Sequence, residues 1–471
     1  MNEQTTFFGV ILRQFFDRFQ NVVYRGVPVC KFFYFSVLNY FNATVGIDWA
    51  KENLPYWRDE VDRLSEPELY QWTDEPYVHD PRPGGVIVMR GGFGDIASLY
   101  LPEERYFLVC PNQAEVDLIK LNRPDLQANA ITDYYRDNPQ AVAELTGQIT
   151  RILSGLKDDP LWGSPGLLEW FKGEIPAIVR MLDAVHSLFQ MLPVSAVVTI
   201  SSTYSMDGAL NLVARANRVA SFTLQHGLLA EHELFCHLPV LATQKLVWGQ
   251  ADRSWYQKYG FPESRVAVVG SPRFDVIFNR KWMGGAELRR LLGAGPSQTI
   301  IVYAAQILRF NQIIAPIVFE GLKSNPDLFL VMLLHPGEDP ALYEPMAEGF
   351  THCKIVRFGH IGIYDALSGA DLFLTYYSTA ALEAMLFKLP VVTVEPMPPT
   401  FSFGDRGASI KVTNGAELGQ VVKRLMTDAA FRQNAIDRYR DFLPGYCLPD
   451  GCAGSRLFEQ VESLSRSGGI A

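Results

Sequence analysis

The chain of 471 residues has no uncharged apolar run of the ~18 residues that a membrane span needs. Its N-terminus also lacks the charged start, apolar stretch and small-residue cleavage site of a signal peptide. Six cysteines are too few for a disulfide framework in a chain of this length. Cys30, Cys110, Cys236 and Cys353 stand among apolar neighbours and read as core thiols. Only Cys447 and Cys452 lie close together, without the second pair that a zinc site needs. Basic charge is in the minority, 42 Lys and Arg against 51 Asp and Glu, for a net charge of −9. No basic stripe marks a nucleic-acid face, so nucleic acid is not expected as a partner. Neither G-x-G-x-x-G nor a Walker A loop is present, and no Asp-x-Asp pair marks a metal. These absences point to a reducing cytoplasm and to an enzyme or binding protein without a metal. The remaining composition, 48% hydrophobic and 20% charged, is that of a globular chain long enough for two or three domains.

Residues 1–80 read as a helical extension rich in aromatic side chains. Twelve aromatic residues fall between Phe7 and Phe41, with Arg13, Arg18, Arg25 and Lys31 outnumbering Asp17. Rings and cations together suit the lipid headgroup layer, which would put residues 7–41 in peripheral contact with the inner membrane face. The commoner fate of such an apolar stripe is burial, as a helical prefix packed on the first domain.

From residue 84 the pattern changes. Short β-branched runs alternate with helical segments, as in a parallel α/β sheet. Strands are predicted at 85–90, 105–110, 196–201, 220–224, 245–248 and 265–269, with 114–184 mostly helical. A second series follows, with strands at 299–304, 328–334, 354–357, 372–375 and 391–394. The spacing predicts two tandem doubly wound, Rossmann-like domains, 84–275 and 280–450, and a helix or tail over 451–471. Two such domains facing a cleft hold a ligand between the carboxyl ends of their strands.

Five motifs fall at predicted strand ends. Gly91-Gly92-Phe93-Gly94-Asp95 follows the first strand. Its glycines permit a sharp turn and close approach of a ligand, and a helix starting at Asp95 would favour an anion. The plain alternative is a tight turn with Asp95 as cap. Gln225-His226-Gly227 follows ASFTL, where an imidazole can take a proton from an acceptor hydroxyl near neutral pH. His232 and His237 come after it, but their spacing fits no zinc motif. Gly270 to Asp275 carries Arg273, which either faces a phosphate or pairs with Asp275. His335-Pro336 ends an apolar strand. Ser378 and Thr379 stand before a helix, as diphosphate donors or plain caps. Glu383, one turn on, either accepts ribose hydroxyls or serves as a first-turn carboxylate.

In order and character these motifs resemble the GT-B-fold transferases of bacterial surface polymers. The likeness is to the CDP-glycerol glycerophosphotransferase group and its capsule relatives that transfer Kdo and sialic acid. It rests on His226-Gly227, Gly270 to Asp275, Tyr303-Ala304, His335-Pro336, Ser378-Thr379, Glu383 and Pro390 to Val392, and covers about residues 200–400. Gln225 and Tyr376 stand where that group usually has Trp and Asp, and Glu383 where it usually has Asp. The resemblance implies transfer of a glycosyl or glycerophosphate group from a nucleotide-sugar or CDP-glycerol donor to a saccharide or lipid-linked acceptor. No cofactor and no metal are implied. His226 would be the base, with Asp95 as helper or substitute, and Arg273, His335, Ser378, Thr379 and Glu383 would hold the donor. A non-hydrolysing nucleotide-sugar 2-epimerase shares the fold and is the competing enzyme class. A non-catalytic binding protein at the membrane is the third reading.

Overall fold

Two parallel sheets, each built on β-branched and leucine-rich runs, organise the chain. The computed structural model describes residues 3–63, 77–229, 234–336 and 338–470. The first sheet has seven strands: β1 (Val86–Arg90), β2 (Tyr106–Cys110), β3 (Ala128–Ala130), β4 (Val194–Thr199), β5 (Ala220–Leu224), β6 (Gln244–Val247) and β7 (Val266–Val268). Their spatial order is β7-β6-β5-β4-β1-β2-β3, and every pairing is parallel. The second has six: β8 (Thr299–Ala304), β9 (Leu328–Leu333), β10 (Cys353–Val356), β11 (Leu372–Thr375), β12 (Val391–Val394) and β13 (Ile410–Val412). Their order is β10-β9-β8-β11-β12-β13, again all parallel. β4 and β5 are buried at every position, as sheets covered by helices on both faces require.

Two of the thirteen strands escape the sequence pattern. β3 lies inside the stretch read as mostly helical, and β13 follows the last predicted strand. Both are three-residue strands at sheet edges, and Ala128-Asn129-Ala130 has little strand propensity of its own.

In both sheets the order reverses at the first strand. β1 lies between β4 and β2, and β8 lies between β11 and β9. Chain crossovers therefore leave in opposite directions there, and open a crevice beyond the strand ends.

The aromatic N-terminal segment packs on the first domain. Helices α1 (Glu3–Phe19) and α2 (Val29–Thr44) join one core with α4 (Pro139–Ser154) and α5 (Pro165–Met191). Helix α3 (Gly94–Tyr100) lies beyond β1. Phe15 stacks on Trp162, with ring centroids 6.0 Å apart, and Phe33 meets Phe171 edge-on at 5.4 Å. Of the twelve rings, seven are buried and none is exposed. The apolar stripe is thus spent on packing, at roughly 1.5–3 kcal/mol per fully buried ring. Among the described residues no helix is long and apolar enough to cross a membrane.

The end of the chain returns to the first domain. Past α6 (Ser205–Ala216), the connecting helix α7 (Pro272–Asn279) and the second-domain helix α8 (Ala380–Leu386), the last helix α9 (Ala453–Ser467) sets Leu457, Phe458 and Val461 into the core of the first sheet. Asp275 joins the two ends of this path. Its carboxylate accepts from the backbone N–H of Ala453 at 3.0 Å and of Gly454 at 2.7 Å, and so caps α9. Gly270 has φ +86°, and an added Cβ there would meet the Ala453 Cβ at 3.0 Å.

Candidate functional site

The two sheet reversals each open into a cavity. The larger, about 570 Å³, is lined by Arg90, Gly92, Asp95, His226, Trp248 and Arg273 among others, with Tyr364 from the second domain. The smaller, about 300 Å³, joins Gly227 to Gln306, His335, Tyr377, Ser378 and Thr379. The loops after β1 and β4 feed the first, and those after β8 and β11 feed the second. The His226-Gly227 turn touches both. A Cβ on Gly227 would lie 4.0 Å from the Thr379 hydroxyl.

The three loop glycines have different reasons to be glycine. Gly91 to Phe93 form one 3-10 turn, and α3 begins at Gly94. A Cβ on Gly91 would lie 2.3 Å from the Cys110 sulfur, and one on Gly94 would lie 2.7 Å from Leu126 Cδ1. Both are therefore packing glycines. Only Gly92 has open space in front of it and lines the cavity. Asp95 sits in the first turn of α3 and not at the cap, which is Phe93. Its carboxylate lines the larger cavity but is committed to Arg123.

His226 is held in one tautomer. Its Nδ1 lies 3.0 Å from the Ile200 carbonyl, which can only accept. The proton is therefore on Nδ1, and Nε2 keeps its lone pair. Burial, followed by the charge of Lys245 and then those of Arg90 and Arg273, pushes the imidazole down to about 4. The ring still has an exposed edge, and Tyr204 flanks it with centroids 5.9 Å apart. Gln225 fixes the turn. It donates through Nε2 to the Gly227 carbonyl at 2.9 Å and accepts from the Trp248 N–H through Oε1 at 3.0 Å. His237 lines neither cavity and stands edge-on to Trp255 at 5.7 Å; His232 lies outside the described residues. Among the described residues no cluster of His, Cys, Asp and Glu is placed to hold a metal.

Arg273 and Glu383 are brought together. Arg273 pairs with Glu383 Oε1 at 2.8 Å, and the Tyr364 hydroxyl donates to the same oxygen at 3.1 Å. Asp275, the sequence neighbour offered as a partner for Arg273, caps α9 instead. Glu383 is 4% exposed and lines neither cavity, so its carboxylate is engaged by the protein and not open to a ribose. Arg273 is half-exposed at the rim of the larger cavity.

In the smaller cavity Ser378 acts as the cap before α8, accepting from the Ala380 N–H at 3.2 Å. Thr379 makes no side-chain cap bond. His335 Nδ1 lies 3.1 Å from the Pro336 carbonyl, which leaves Nε2 for the cavity. Behind this loop Asn311 joins Tyr303, Tyr343 and Glu338 in a buried network at 2.9 to 3.1 Å, which ties the end of β8 to the loop after β9.

Sequence reasoning passed over Arg90, Tyr204 and Asp207. Arg90 ends β1 and pairs with Asp207 at 3.0 Å and Glu115 at 3.4 Å, with Tyr204 under its guanidinium at 5.6 Å. Asp207 is fully buried, and burial pushes its carboxyl up to about 7 against the pull of Arg90. An arginine closing an otherwise apolar strand is the one signal that pointed there.

No protein-family model matches the sequence, and no curated protein gives a significant match. Solved structures do share the architecture. UDP-GlcNAc 2-epimerase from Neisseria meningitidis bound to UDP-GlcNAc is 13% identical, with a TM-score of 0.51 over 80% of this chain and 99% of that one. The S. aureus MnaA–UDP complex is 14% identical, with a TM-score of 0.53 over 80% and 96%. A glycosyltransferase from Rickettsia africae is 9% identical, with a TM-score of 0.52 over 82% and 100%. The chain therefore has the GT-B fold, in which both nucleotide-sugar transferases and epimerases are built.

Proposed function

We propose that the protein transfers a glycosyl or glycerophosphate group from a nucleotide-activated donor to a saccharide or lipid-linked acceptor, in the cytoplasmic assembly of a bacterial surface polysaccharide. One observation carries this reading. A histidine kept neutral with Nε2 free stands at one sheet reversal, and its own turn reaches the hydroxyl-bearing loop of the other. In the reaction Nε2 of His226 takes the proton of the acceptor hydroxyl. The oxygen forms a bond to the donor carbon or phosphorus, and the bond to the nucleotide phosphate breaks. His335, Ser378 and Thr379 stabilise the charge that gathers on the leaving phosphate, usually the largest catalytic contribution. Asp95 is the substitute base, weakened in that role by its tie to Arg123. In this reading the reaction needs the donor and the acceptor and no cofactor.

A second reading is favoured by the neighbours that are UDP-GlcNAc 2-epimerases. Epimerisation at C2 breaks a C–H bond and needs no acceptor. The two readings separate in one experiment. Incubation with UDP-GlcNAc alone in deuterated water places deuterium in the sugar if the protein is an epimerase, and leaves the donor unlabelled if it is a transferase. A thermal-shift screen of CMP, CDP, UDP, GDP and ADP identifies the base, since a ligand at 100 times its dissociation constant stabilises by about 2.7 kcal/mol. Binding of none of them removes both enzyme readings and leaves the non-catalytic one.

A further inference from the structure

Two residues that line the larger cavity carry hydrogen-bonding groups that the protein itself does not use. Trp248 follows β6, is 2% exposed and lines the cavity. Its backbone N–H is satisfied by Gln225, and its ring packs on Phe274 with centroids 5.3 Å apart. Its indole N–H is buried and meets no acceptor. That group can only donate. Ser271 lines the same cavity at 3% exposure, and although it stands at the N-cap of α7 its side chain makes no cap bond.

Folded proteins seldom keep an unpaired buried donor, because its lost hydration is not recovered. A phenylalanine would keep most of the ring contact with Phe274 and remove that loss. The fold therefore has no use for the N–H, whereas an acceptor atom arriving with a ligand would. The location narrows the ligand. Gln225 binds both the Trp248 N–H and the Gly227 carbonyl, so the orphan donor belongs to the scaffold that holds His226. Both groups are uncharged, which suits hydroxyl or carbonyl oxygens better than a phosphate.

We propose that the Trp248 indole N–H and the Ser271 hydroxyl bind oxygens of the group carried by the nucleotide, a sugar or a glycerol, and so determine which activated group is held beside His226. This rests on the reading of the cleft as a site for an activated donor. Calorimetric titration of UDP-N-acetylglucosamine and CDP-glycerol, each against free UDP and CDP, tests it on wild type, Trp248→Phe and Ser271→Ala. The activated compound that wild type binds is expected to bind Trp248→Phe about five- to tenfold more weakly, the worth of one hydrogen bond left unmade. Ser271→Ala, the smaller change, is expected to show the same selectivity. Affinity for the free nucleotide should stay within twofold in both variants. Equal binding of the activated compound by wild type and both variants overturns the assignment, and so does an equal loss for free nucleotide. If wild type binds none of the four compounds, the donor-site reading fails and this assignment falls with it.

Discussion

His226 is expected to remain neutral far below the pH at which an ordinary histidine gains its second proton. Burial is the first cause, because desolvation penalises the imidazolium. Lys245 is the second; the Ile200 carbonyl pulls the other way, more strongly than either Arg90 or Arg273 adds to the lowering. The result is a midpoint of about 4 in place of 6.5. At pH 5.5 a group titrating near 4 is about 97% neutral, whereas one at 6.5 is about 9% neutral, so one pH value separates the cases. The chain has eight histidines, and ¹⁵N-histidine labelling with His226→Asn for assignment isolates the signal. The spectrum is expected to show the Nδ1–H tautomer, unchanged from pH 8 to about 5. Lys245→Met should move the midpoint upward, since it removes a cation that opposes protonation. In transfer assays the acid limb belonging to this base should likewise fall well below 6.5. A midpoint between 6 and 7 would refute the electrostatic argument, and an Nε2–H tautomer would refute the assignment of His226 Nε2 as base.

Four further outcomes are expected. His226→Ala should lose roughly 10²- to 10⁴-fold in transfer with nucleotide affinity within a few-fold, whereas His335→Ala should weaken nucleotide binding as well; identical effects would merge the two roles. Asp275→Ala should cost about 1–2 kcal/mol by uncapping α9, and should speed hydrogen exchange over residues 453–467 in particular; unchanged exchange there would show that the cap is idle. Gly91→Ala should lower the melting temperature by about 1–3 kcal/mol worth of overpacking against Cys110, while Gly92→Ala should leave stability intact and disturb ligand binding instead. Asp207 has its folded pKa raised to about 7 from an ordinary value near 4, so its contribution to stability is full below pH 4 and is lost as pH rises through 7. The melting temperature of wild type should therefore fall more steeply between pH 5 and 8 than that of Asp207→Asn, and parallel curves would contradict the shift.

The sheets were legible in the sequence because a strand buried on both faces must be continuously apolar, and little else in a chain is. ASFTL, TIIVYA, LFLT and VVTV begin and end where β5, β8, β11 and β12 do. β3 and β13 lack such a run: Ala128-Asn129-Ala130 has little strand propensity and Ile410-Lys411-Val412 is broken by an exposed lysine, whereas the equally short edge strand β7 is Val-Ala-Val. The aromatic prefix was ambiguous for a different reason. Composition shows that most of the twelve rings must leave water, but lipid and protein satisfy that demand equally. The partners that decide it, Trp162 and Phe171, lie more than a hundred residues downstream.

The site was legible in its positions and not in its pairings. A motif directly after a buried strand must lie at the carboxyl edge of its sheet, and strand order does the rest, so the turns at Gly92, His226, His335 and Ser378 reach the cavities for topological reasons. What a side chain does once there depends on neighbours that spacing does not encode. Arg273 and Asp275 are two residues apart, yet one pairs with Glu383 and the other caps a helix about 180 residues away. Glu383 sits one turn beyond two hydroxyls, where a ribose contact is a reasonable expectation, but Tyr364 and Arg273 already occupy its outer oxygen. A ligand that claimed Arg273 would leave Glu383 with the Tyr364 hydroxyl as the donor to that oxygen. The pair, at 2.8 Å, has one partner half-exposed and the other buried. That asymmetry decides which partner can move: the arginine can turn to a ligand and be rehydrated, whereas the buried carboxylate stays in place on the Tyr364 hydroxyl.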